Sequence, residues 1–596
     1  MASASAPPRW PHCGKGANPS DRVGCRGRRV DPYTACLAHL ADDQRDAYLA
    51  SLSPGSDLDH RGTEIDELLL VQLLDAMRDP NTRHPMIGAT LFGEATFTGA
   101  AQFSKATFTS TAQFSGATFT RTAKFGRATF TSTAWFRGAT FTSEARFNDA
   151  TCTGTAWFDE ATFAATAWFN KARFTRNAQF GEATFAGTAV FDGVAFAGTA
   201  VFDGVAFADD AGFSGATFTE ASFRSVVFER ASRVGPLTCA RVFDLSAASF
   251  GAPVTIEAAS RSVVCQRARW AATAGLRLRY ADVDLTDAVF EYPLSIAAHT
   301  RPFIASTGEV VLEDALRETY ATVRMLSLQG VDAAHLVLTD LDLSACRFAG
   351  TVHLDQLRLE GRMSLAQVPE GVHRRRWGLV RFTQRRTLAE EQYWRAAQPG
   401  AVPGWAPVPD GTDPVEPAAL TAVYRSLRKA FEDSKNEPGA ADFYYGEMEM
   451  RRADQETPRA ERWLLAGYWA LSGYGLRASR ALAWLLLAMT GTVLAMMLWG
   501  LATEDPEPVS RGTVKGSQIT LTTKTADPVN PDGPLHRRLT TERFDKSLRV
   551  VVNSVVFRSS GQDLTTAGTY TEMVSRLTEP VLLGLAVLAI RGRVKR

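Results

Sequence analysis

Large apolar residues recur at a fixed spacing between residues 92 and 228 of the chain. The steps alternate between five and six residues as far as Phe213, which gives a period of eleven, and every later step is five. Alanine stands two positions before most of these residues, and Thr, Gly and charged residues fill the remaining positions. A repeat this strict indicates one structural unit used many times. The recurring residues are Phe92, Phe97, Phe103, Phe108, Phe114, Phe119, Phe125, Phe130, Phe136, Phe141, Phe147, Cys152, Phe158, Phe163, Phe169, Phe174, Phe180, Phe185, Phe191, Phe196, Phe202, Phe207, Phe213, Phe218, Phe223 and Phe228.

This spacing excludes an α-helix and long strands. Five residues turn a helix by about 140° and eleven by about 20°, which would split the large residues into two stripes. Simple alternation along long strands also fails, because only one position in five or six is large. The pattern predicts a mainly β coil of very short sides, in which each side turns one large and one small residue inward. Coils at roughly 4.8 Å per layer would then stack Phe on Phe along the axis.

The unit with a small residue two before a central Leu or Phe resembles the pentapeptide-repeat family over the whole of residues 92–228. The resemblance implies a right-handed quadrilateral β-helix with about four units per coil, so that this block makes roughly six coils. Every second unit carries one extra residue, as in residues 97–103. We expect the extra residues to bulge two of the four corners.

The ladder continues less strictly after residue 230. We therefore predict a regular β-helix at 88–230 and degenerate coils at 231–366, with a helical insertion at 312–328. Cys152, Cys239, Cys265 and Cys346 are expected to be small core residues. The later ladder positions are Cys239, Leu245, Phe250, Ile256, Tyr280, Leu285, Phe290, Ile296, Leu338, Leu343, Phe348, Leu354, Leu359 and Leu365.

Residues 1–87 are predicted to form an N-terminal helical cap. Helices are expected near residues 32–52 and 64–78, because a β-helix exposes unpaired backbone groups and apolar side chains at its first coil. One face of the second helix would carry Ile65, Leu68, Leu69, Leu73 and Met77.

The same cap contains four candidate metal ligands, Cys13, Cys25, Cys36 and His39. Cys36 and His39 lie one helical turn apart, and three thiolates with one imidazole suit tetrahedral zinc. The loops between them are longer than common zinc-finger spacings. Two interpretations stay open: a structural zinc ion, or reduced cysteines beside a packed histidine.

Composition narrows the function classes. The formal net charge of +1 argues against bulk nucleic acid as a partner. The first 16 residues lack the apolar core of a secretory signal, so we expect the N-terminal portion to stay in a reducing cytoplasm. The chain has no Gly-rich phosphate loop, no Gly-x-Ser-x-Gly motif and no His-Glu-x-x-His motif, so we predict that it is not an enzyme.

Residues 367–417 combine a basic, aromatic stretch with a Pro-rich linker. We favour a surface helix covering the end of the β-helix, and contact with anionic lipid or a partner as the alternative. The basic residues are Arg374, Arg375, Arg376, Arg385 and Arg386.

Residues 418–478 predict a helical pair around the turn at 436–439, with its acids paired to neighbouring arginines. Within this segment, residues 424–449 look like the juxtamembrane segment in bacterial pentapeptide-repeat membrane proteins. Residues 479–596 are predicted to be a membrane domain with spans at 481–502 and 570–590. Basic flanks place both termini in the cytoplasm and residues 503–544 outside, although Arg537, Arg538 and Arg543 in that loop count against this orientation.

These features favour a membrane-anchored, non-catalytic scaffold whose repeat domain binds an unknown protein in the cytoplasm. The alternative is a subunit of an oligomeric two-span channel gated by that domain, with residues 550–557 re-entrant and Arg576 and Glu579 functional within the membrane. No Gly-Tyr-Gly filter accompanies these residues.

The family resemblance also raises DNA mimicry as a function, but residues 88–230 carry 12 acids and 11 bases and are too neutral for that role. The sequence leaves homo-oligomerisation open.

Overall fold

The computed structural model describes residues 7–316, 321–375, 378–502, 507–555 and 563–594. The chain divides into two compact units. The first comprises Met1–Val415 and Lys429–Lys435, and the second comprises Glu416–Arg428 and Asn436–Arg596.

The first unit is a β-solenoid of four faces, built from parallel strands that are mostly two residues long. Strands 22 residues apart pair in register, for example Thr96–Phe97 with Thr118–Phe119. Four repeat units therefore complete one coil, as the resemblance to pentapeptide repeats implies. Face 1 contains Glu64–Ile65, Thr96–Phe97, Thr118–Phe119, Thr140–Phe141, Thr162–Phe163, Thr184–Phe185, Ala206–Phe207, Val227–Phe228, Ser249–Phe250, Arg269–Trp270 and Val289–Phe290. Face 2 contains Ala101–Gln102, Ala123–Lys124, Ala145–Arg146, Ala167–Trp168, Ala189–Val190 and Ala211–Gly212.

Faces 3 and 4 are separate in the early coils and merge in the later ones, where single strands run across both. The early strands of face 3 are Met86–Ile87, Thr107–Phe108, Thr129–Phe130, Thr151–Cys152 and Arg173–Phe174. Those of face 4 are Leu58–Asp59, Thr90–Leu91, Ala112–Gln113, Ala134–Trp135, Ala156–Trp157 and Ala178–Gln179. The later strands are Ala195–Val201, Thr217–Ser222, Arg233–Asp244, Val254–Val264, Ala274–Arg279, Asp282–Asp284, Leu294–Ala298, Arg324–Ser327, Leu336–Thr339 and Arg358–Glu360.

Phenylalanine rings fill the interior in columns along the axis. The rings of Phe97 and Phe119 stack with centroids 4.8 Å apart, and those of Phe103 and Phe125 stack at 5.0 Å. Offset stacking of this kind adds to the energy of apolar burial. The predicted core residues are all buried: Phe97, Phe103, Phe108, Phe114, Phe119, Phe125, Phe130 and Phe136.

The two step lengths produce two kinds of corner. Five-residue steps close with a tight turn that contains a left-handed residue, such as Lys105 at φ 61° or Gly116 at φ 67°. Six-residue steps make a longer bend, where Thr120 donates a 3.0 Å hydrogen bond to the carbonyl of Phe97 in the preceding coil. Because the two extra residues of each coil fall at the same two corners in every coil, the strands of the regular block keep their register.

The late coils keep the buried core but lose the corner between faces 3 and 4. Arg233–Asp244 and Val254–Val264 are long strands whose pairing shifts register twice. The four cysteines predicted to be core residues are buried. The prediction that Tyr280 occupies the core is wrong, because this residue lies in a left-handed turn at φ 61° and is half-buried. Leu276 and Leu278 occupy that part of the interior instead.

The helix predicted at 312–328 is wrong for the described residues. A short 3₁₀ turn covers Asp314–Leu316, and Arg324–Ser327 is a strand of the next coil, while residues 317–320 lie outside the described part. The apolar residues had a helix-like spacing because the 3₁₀ turn and the strand follow each other closely in the sequence. Residues 299–316 are an insertion that packs on the solenoid through Phe303, Val311 and Leu316.

Short elements cover the start of the solenoid. The predicted helices form over shorter ranges, as α1 (Asp42–Ala50) and α2 (Glu67–Ala76), and a 3₁₀ turn covers Leu37–His39. Coil pairing begins at Leu58–Asp59, inside the predicted cap. The buried face of α2 carries Leu69, Leu70, Leu73 and Leu74, whereas Leu68 is 68% exposed, contrary to prediction.

The other end of the solenoid is closed by α3 (Ala389–Ala397), which follows the antiparallel pairs Val372–Arg375 with Gly378–Arg381 and Ala366–Gln367 with Arg386–Thr387. Glu390 in α3 accepts hydrogen bonds from the backbone N–H groups of Phe348 and Ala349 in the last coils. Burial raises the pKa of this carboxyl. A helix covers this end as expected, but most of the preceding basic stretch is strand.

The second unit is helical. Its helices are α4 (Pro417–Asp433, whose last residues belong to the first unit), α5 (Glu437–Ala453), α6 (Arg459–Ser472), α7 (Ala478–Ala495, continued by a π-helical segment Met496–Gly500), α8 (Thr541–Val555) and α9 (Thr566–Val594). A β-hairpin, Pro508–Lys515 with Gln518–Thr525, and a 3₁₀ turn, Leu535–Arg538, lie between α7 and α8.

Two helices of the second unit are long and apolar enough to cross a membrane, Ala478–Gly500 and Thr566–Arg591. They agree closely with the predicted spans. The two helices approach each other closely at Gly500 and Gly568, where a Cβ on Gly568 would lie 2.2 Å from the carbonyl oxygen of Gly500.

Candidate functional site

Cys13, Cys25, Cys36 and His39 come together in the N-terminal cap. Backbone hydrogen bonds between residues 13–15 and 25–27 form a tight loop, in which Cys13 donates to Gly27 at 2.8 Å. The 3₁₀ turn Leu37–His39 then brings His39 back over Cys36. The sequence predicted this group of four, and the structure gathers all four ligand atoms within 4.8 Å of one another.

The spacing of these atoms fits a tetrahedral zinc site. Zn–S bonds of about 2.3 Å and Zn–N bonds of about 2.0–2.1 Å place sulfur atoms about 3.8 Å apart and sulfur about 3.5 Å from nitrogen. The Sγ atoms of Cys25 and Cys36 are 3.6 Å apart. The Nδ1 atom of His39 is 3.6 Å from Cys13 Sγ and 3.4 Å from Cys36 Sγ. The Cys₃His donor set therefore fits zinc in both chemistry and geometry.

Close backbone approach makes this packing feasible. A Cβ on Gly27 would lie 2.8 Å from Cys36 Cβ and 2.9 Å from its Sγ, so no larger residue fits there. Without metal, the hydrogen bond from Cys36 is the main cause that lowers the pKa of the Cys25 thiol to about 5. The same contact raises the pKa of Cys36, and burial adds to that shift. One thiolate is thus already favoured, and thiolates are the form that binds zinc.

A cavity of about 340 Å³ opens beside two of these ligands, Cys25 and His39. Arg45, Glu64 and Asp66 line its other side. The cavity gives solvent a route to these two ligands, which metal loading requires.

The outer surface of the solenoid offers a second candidate site. The rings of Trp135 and Trp157 stack on face 4 at 5.1 Å, and Trp168 is exposed on face 2. Ion pairs bridge neighbouring coils, as between Arg137 and Glu160 at 2.6 Å. Regular spacing of this kind presents a rigid series of side chains, which suits recognition of another protein.

The predicted basic residues of 374–386 do not form one exposed patch. The side chains of Arg374 and Arg375, and the whole of Arg376, lie outside the described part of the structure. The prediction that Arg385 faces lipid or a partner is wrong, because it is buried and pairs with Glu391 at 2.5 Å. Arg386 is half-buried in its strand. Glu391 also binds Arg395, four residues later on α3.

The helical pair α4–α5 is held by ion pairs, as predicted. Glu447 is buried and binds Arg425 at 3.0 Å and Arg428 at 2.7 Å. Glu449 accepts a 2.9 Å hydrogen bond from Tyr474 and pairs with Arg452. This pairing favours a structural role for these carboxylates over catalysis.

Polar groups within the candidate spans also contact each other. Arg576 binds Glu572 at 2.8 Å, one turn earlier on α9. Glu579 is fully buried and accepts a 2.9 Å hydrogen bond from Thr492 of α7. A Thr on an otherwise apolar helix gave no indication of this contact in the sequence.

Two arginines of the loop between the spans bind the end of the first one. Arg543 donates to the carbonyls of Met497, Leu501 and Ala502 at 2.7–3.0 Å. Arg538 donates to Leu498 at 2.8 Å. The last carbonyls of a helix lack intrahelical partners and carry partial negative charge, so these arginines cap the helix.

Residues 86–129, 103–151, 136–184 and 147–195 match the family model described as pentapeptide repeats (9 copies). No curated protein and no solved structure matches the chain.

Proposed function

Residues 86–195 of this chain are pentapeptide repeats, and we propose that they form the binding surface of a membrane-anchored, non-catalytic interaction scaffold. The observation that carries this proposal is that one chain contains both a regular solenoid and two helices long enough to span a bilayer. A solenoid interior filled by Phe and Ala leaves no room for a substrate, so binding would use the outward-facing side chains.

Anchoring is supported by the length and composition of Ala478–Gly500 and Thr566–Arg591. Their outward faces remain apolar, with Leu486, Leu487 and Leu577 more than 60% exposed in the isolated chain. Lipid would cover such a surface, whereas water would not favour it.

The orientation we propose places both termini in the cytoplasm, following the basic flanks of the two spans. Arg538 and Arg543 in the intervening loop count against this orientation by charge alone. Both arginines, however, bind carbonyls at the end of α7, so helix capping accounts for their presence there.

Alkaline extraction of membranes from cells expressing the full chain tests the anchor. We expect the protein to stay in the membrane pellet, and the double substitution of Leu486 and Leu487 by Arg to move it towards the soluble or degraded fraction, because a charge at mid-span disfavours insertion. Leu535→Arg, at an exposed loop position, is the matched control and should leave the protein in the pellet. Extraction of the unaltered chain at high pH would refute anchoring.

We also propose that Cys13, Cys25, Cys36 and His39 hold a structural zinc ion. Four protein ligands complete the tetrahedron, which leaves no open position for catalysis. The ion would join the loop of residues 13–27 to the turn at 36–39 and so tie the cap together.

Metal analysis of the purified chain provides the test. We expect one zinc per chain, lost in Cys36→Ser and retained in Cys265→Ser, whose thiol is buried within the late coils. Removal of zinc should make residues 7–40 sensitive to protease while the solenoid stays protected. Absence of zinc from protein purified without chelator would contradict the proposal.

Channel activity receives less support from the contacts between the spans. The Thr492–Glu579 hydrogen bond and the approach of Gly500 to Gly568 join α7 and α9 directly within one chain. Contacts of this kind hold two helices together and occupy the polar groups that a pore would use.

A further inference from the structure

Helix α6 presents an unusual combination of side chains. Trp463 and Leu464 are 78% and 75% exposed, although both are large and apolar. Beside them, Arg452, Arg459 and Arg462 line a hollow of about 380 Å³ together with Trp463 and Ala466. An exposed apolar pair next to a cationic hollow needs an occupant that is both apolar and anionic.

The charges around this hollow do not balance. Arg452 pairs with Glu449 at 2.9 Å, and the neighbouring Arg451 pairs with Glu461 at 2.6 Å. Among the residues that the structure describes, no carboxylate pairs with Arg459 or Arg462. Two positive charges therefore remain available at the hollow.

The position of α6 follows from its contacts with the start of the first candidate span. Residues 473–477 join α6 to α7, and Trp484 in α7 donates a 3.1 Å hydrogen bond to the carbonyl of Ala470. Arg480 donates to the carbonyl of Trp469 at 3.2 Å and lies over its ring. Since these contacts involve the first turns of the span, they place the end of α6 at the level where the apolar segment begins.

We propose that α6 lies in the membrane interface and that its hollow binds the headgroup of an anionic phospholipid. The proposal rests on the membrane anchoring proposed above. Guanidinium groups bind phosphate oxygens in bidentate fashion, and tryptophan prefers the boundary between headgroups and acyl chains. The continuity with the span favours a lipid over a protein partner, because Trp463 and Leu464 need an apolar medium at that depth.

Reconstitution of the full chain into vesicles provides the test. The vesicles contain phosphatidylcholine and phosphatidylglycerol, and one lipid at a time carries bromine near the top of its acyl chains, where it quenches tryptophan fluorescence. Subtracting the spectrum of Trp463→Phe isolates Trp463, and subtracting that of Trp484→Phe isolates a tryptophan within the span.

We expect the phosphatidylglycerol to quench Trp463 preferentially. Replacing both Arg459 and Arg462 by Gln should lower the apparent preference for phosphatidylglycerol about tenfold, because each arginine near an anionic surface contributes a severalfold increase in affinity. Replacing the exposed solenoid residues Arg121 and Arg176 by Gln should leave the preference unchanged.

Three other outcomes would overturn the inference. Equal quenching of Trp463 by both lipids would show that α6 contacts lipid without selecting an anionic headgroup. No quenching of Trp463 while Trp484 is quenched would show that α6 lies outside the lipid and that a protein is the better candidate for its exposed face. If neither Trp463 nor Trp484 is quenched, the anchoring itself fails and the lipid site fails with it.

Discussion

Between residues 92 and 228 each core phenylalanine packs against its counterpart one coil away, whereas between 233 and 298 the core residues differ from coil to coil. The early coils are held by a repeated interior contact, such as the stacks of Phe136 on Phe114 and Phe158 at 5.0 and 4.9 Å. The late coils gain longer strands and an external insertion at 299–316. In the late coils, contacts with the external insertion therefore replace the repeated contacts of the core.

Truncation of a stacked ring should produce the largest effect. Phe136→Ala removes a fully buried ring with partners above and below, and we expect unfolding in denaturant to become easier by about 3–5 kcal/mol. Phe136→Leu, which retains most of the volume, should lose less than half of that. Equal losses in the two variants would show that stacking of flat rings, rather than filled volume, determines the stability.

Loss of the contacts between the insertion at 299–316 and the solenoid should destabilise the late coils alone. Glu313 and Arg279 form a buried ion pair at 2.7 Å, and Tyr280 donates to the same carboxylate. Glu313→Ala leaves Arg279 buried without its carboxylate partner. We expect this change to lower the free energy of unfolding by about 3 kcal/mol. Hydrogen exchange should rise at residues 233–316 and stay unchanged at 92–190. The exposed Glu309→Ala is the control, and a uniform rise along the solenoid would contradict separate bracing.

The bonds across the longer corners should contribute less. Thr120 donates to the carbonyl of Phe97 in the preceding coil at 3.0 Å. Thr120→Val keeps the shape but removes the donor, with an expected loss of about 1 kcal/mol in unfolding free energy. Thr122→Val, in the same corner, should change the stability by a few tenths of a kcal/mol at most. Similar losses in both variants would assign the effect to β-branched packing.

The smallest effect that we expect is a pH-dependent change in stability at the end of the solenoid that α3 covers. The folded-state pKa of Glu390 lies above its unfolded value, because burial disfavours the carboxylate. The folded state then holds a proton that the unfolded state releases, so stability at this end falls as pH rises through that window. We expect resistance of α3 to protease to decrease as pH rises above the ordinary titration range of a glutamate, and Glu390→Gln to remove this trend. An opposite trend in the unaltered chain would contradict the assignment.

The sequence was enough to predict whatever depends on period and local chemistry. The eleven-residue repeat predicted the Phe columns, because stacking copies each position onto itself. The resemblance to pentapeptide repeats implied the four units per coil and the bulges at two of the four corners. The apolar lengths predicted the two candidate spans.

Contacts between residues far apart in the chain could not be predicted from the sequence. Glu313 lies 34 residues from Arg279, and Thr492 lies 87 residues from Glu579, with no motif connecting either pair. The four metal ligands were identifiable by type, but their gathering depends on loops whose lengths match no common zinc motif. Burial of Arg385 was also missed, because a run of arginines looks exposed until its acidic partners are placed.

Cysteine labelling in intact cells would test the proposed membrane anchoring most directly. Gln518→Cys places a thiol in the hairpin between the two spans, and a second variant carries a cysteine appended after Arg596. We expect a membrane-impermeant maleimide to label only the first variant, since the proposed orientation places the native cysteines and the C-terminus in the cytoplasm. Labelling of the appended cysteine without lysis, or protection of residue 518, would contradict it.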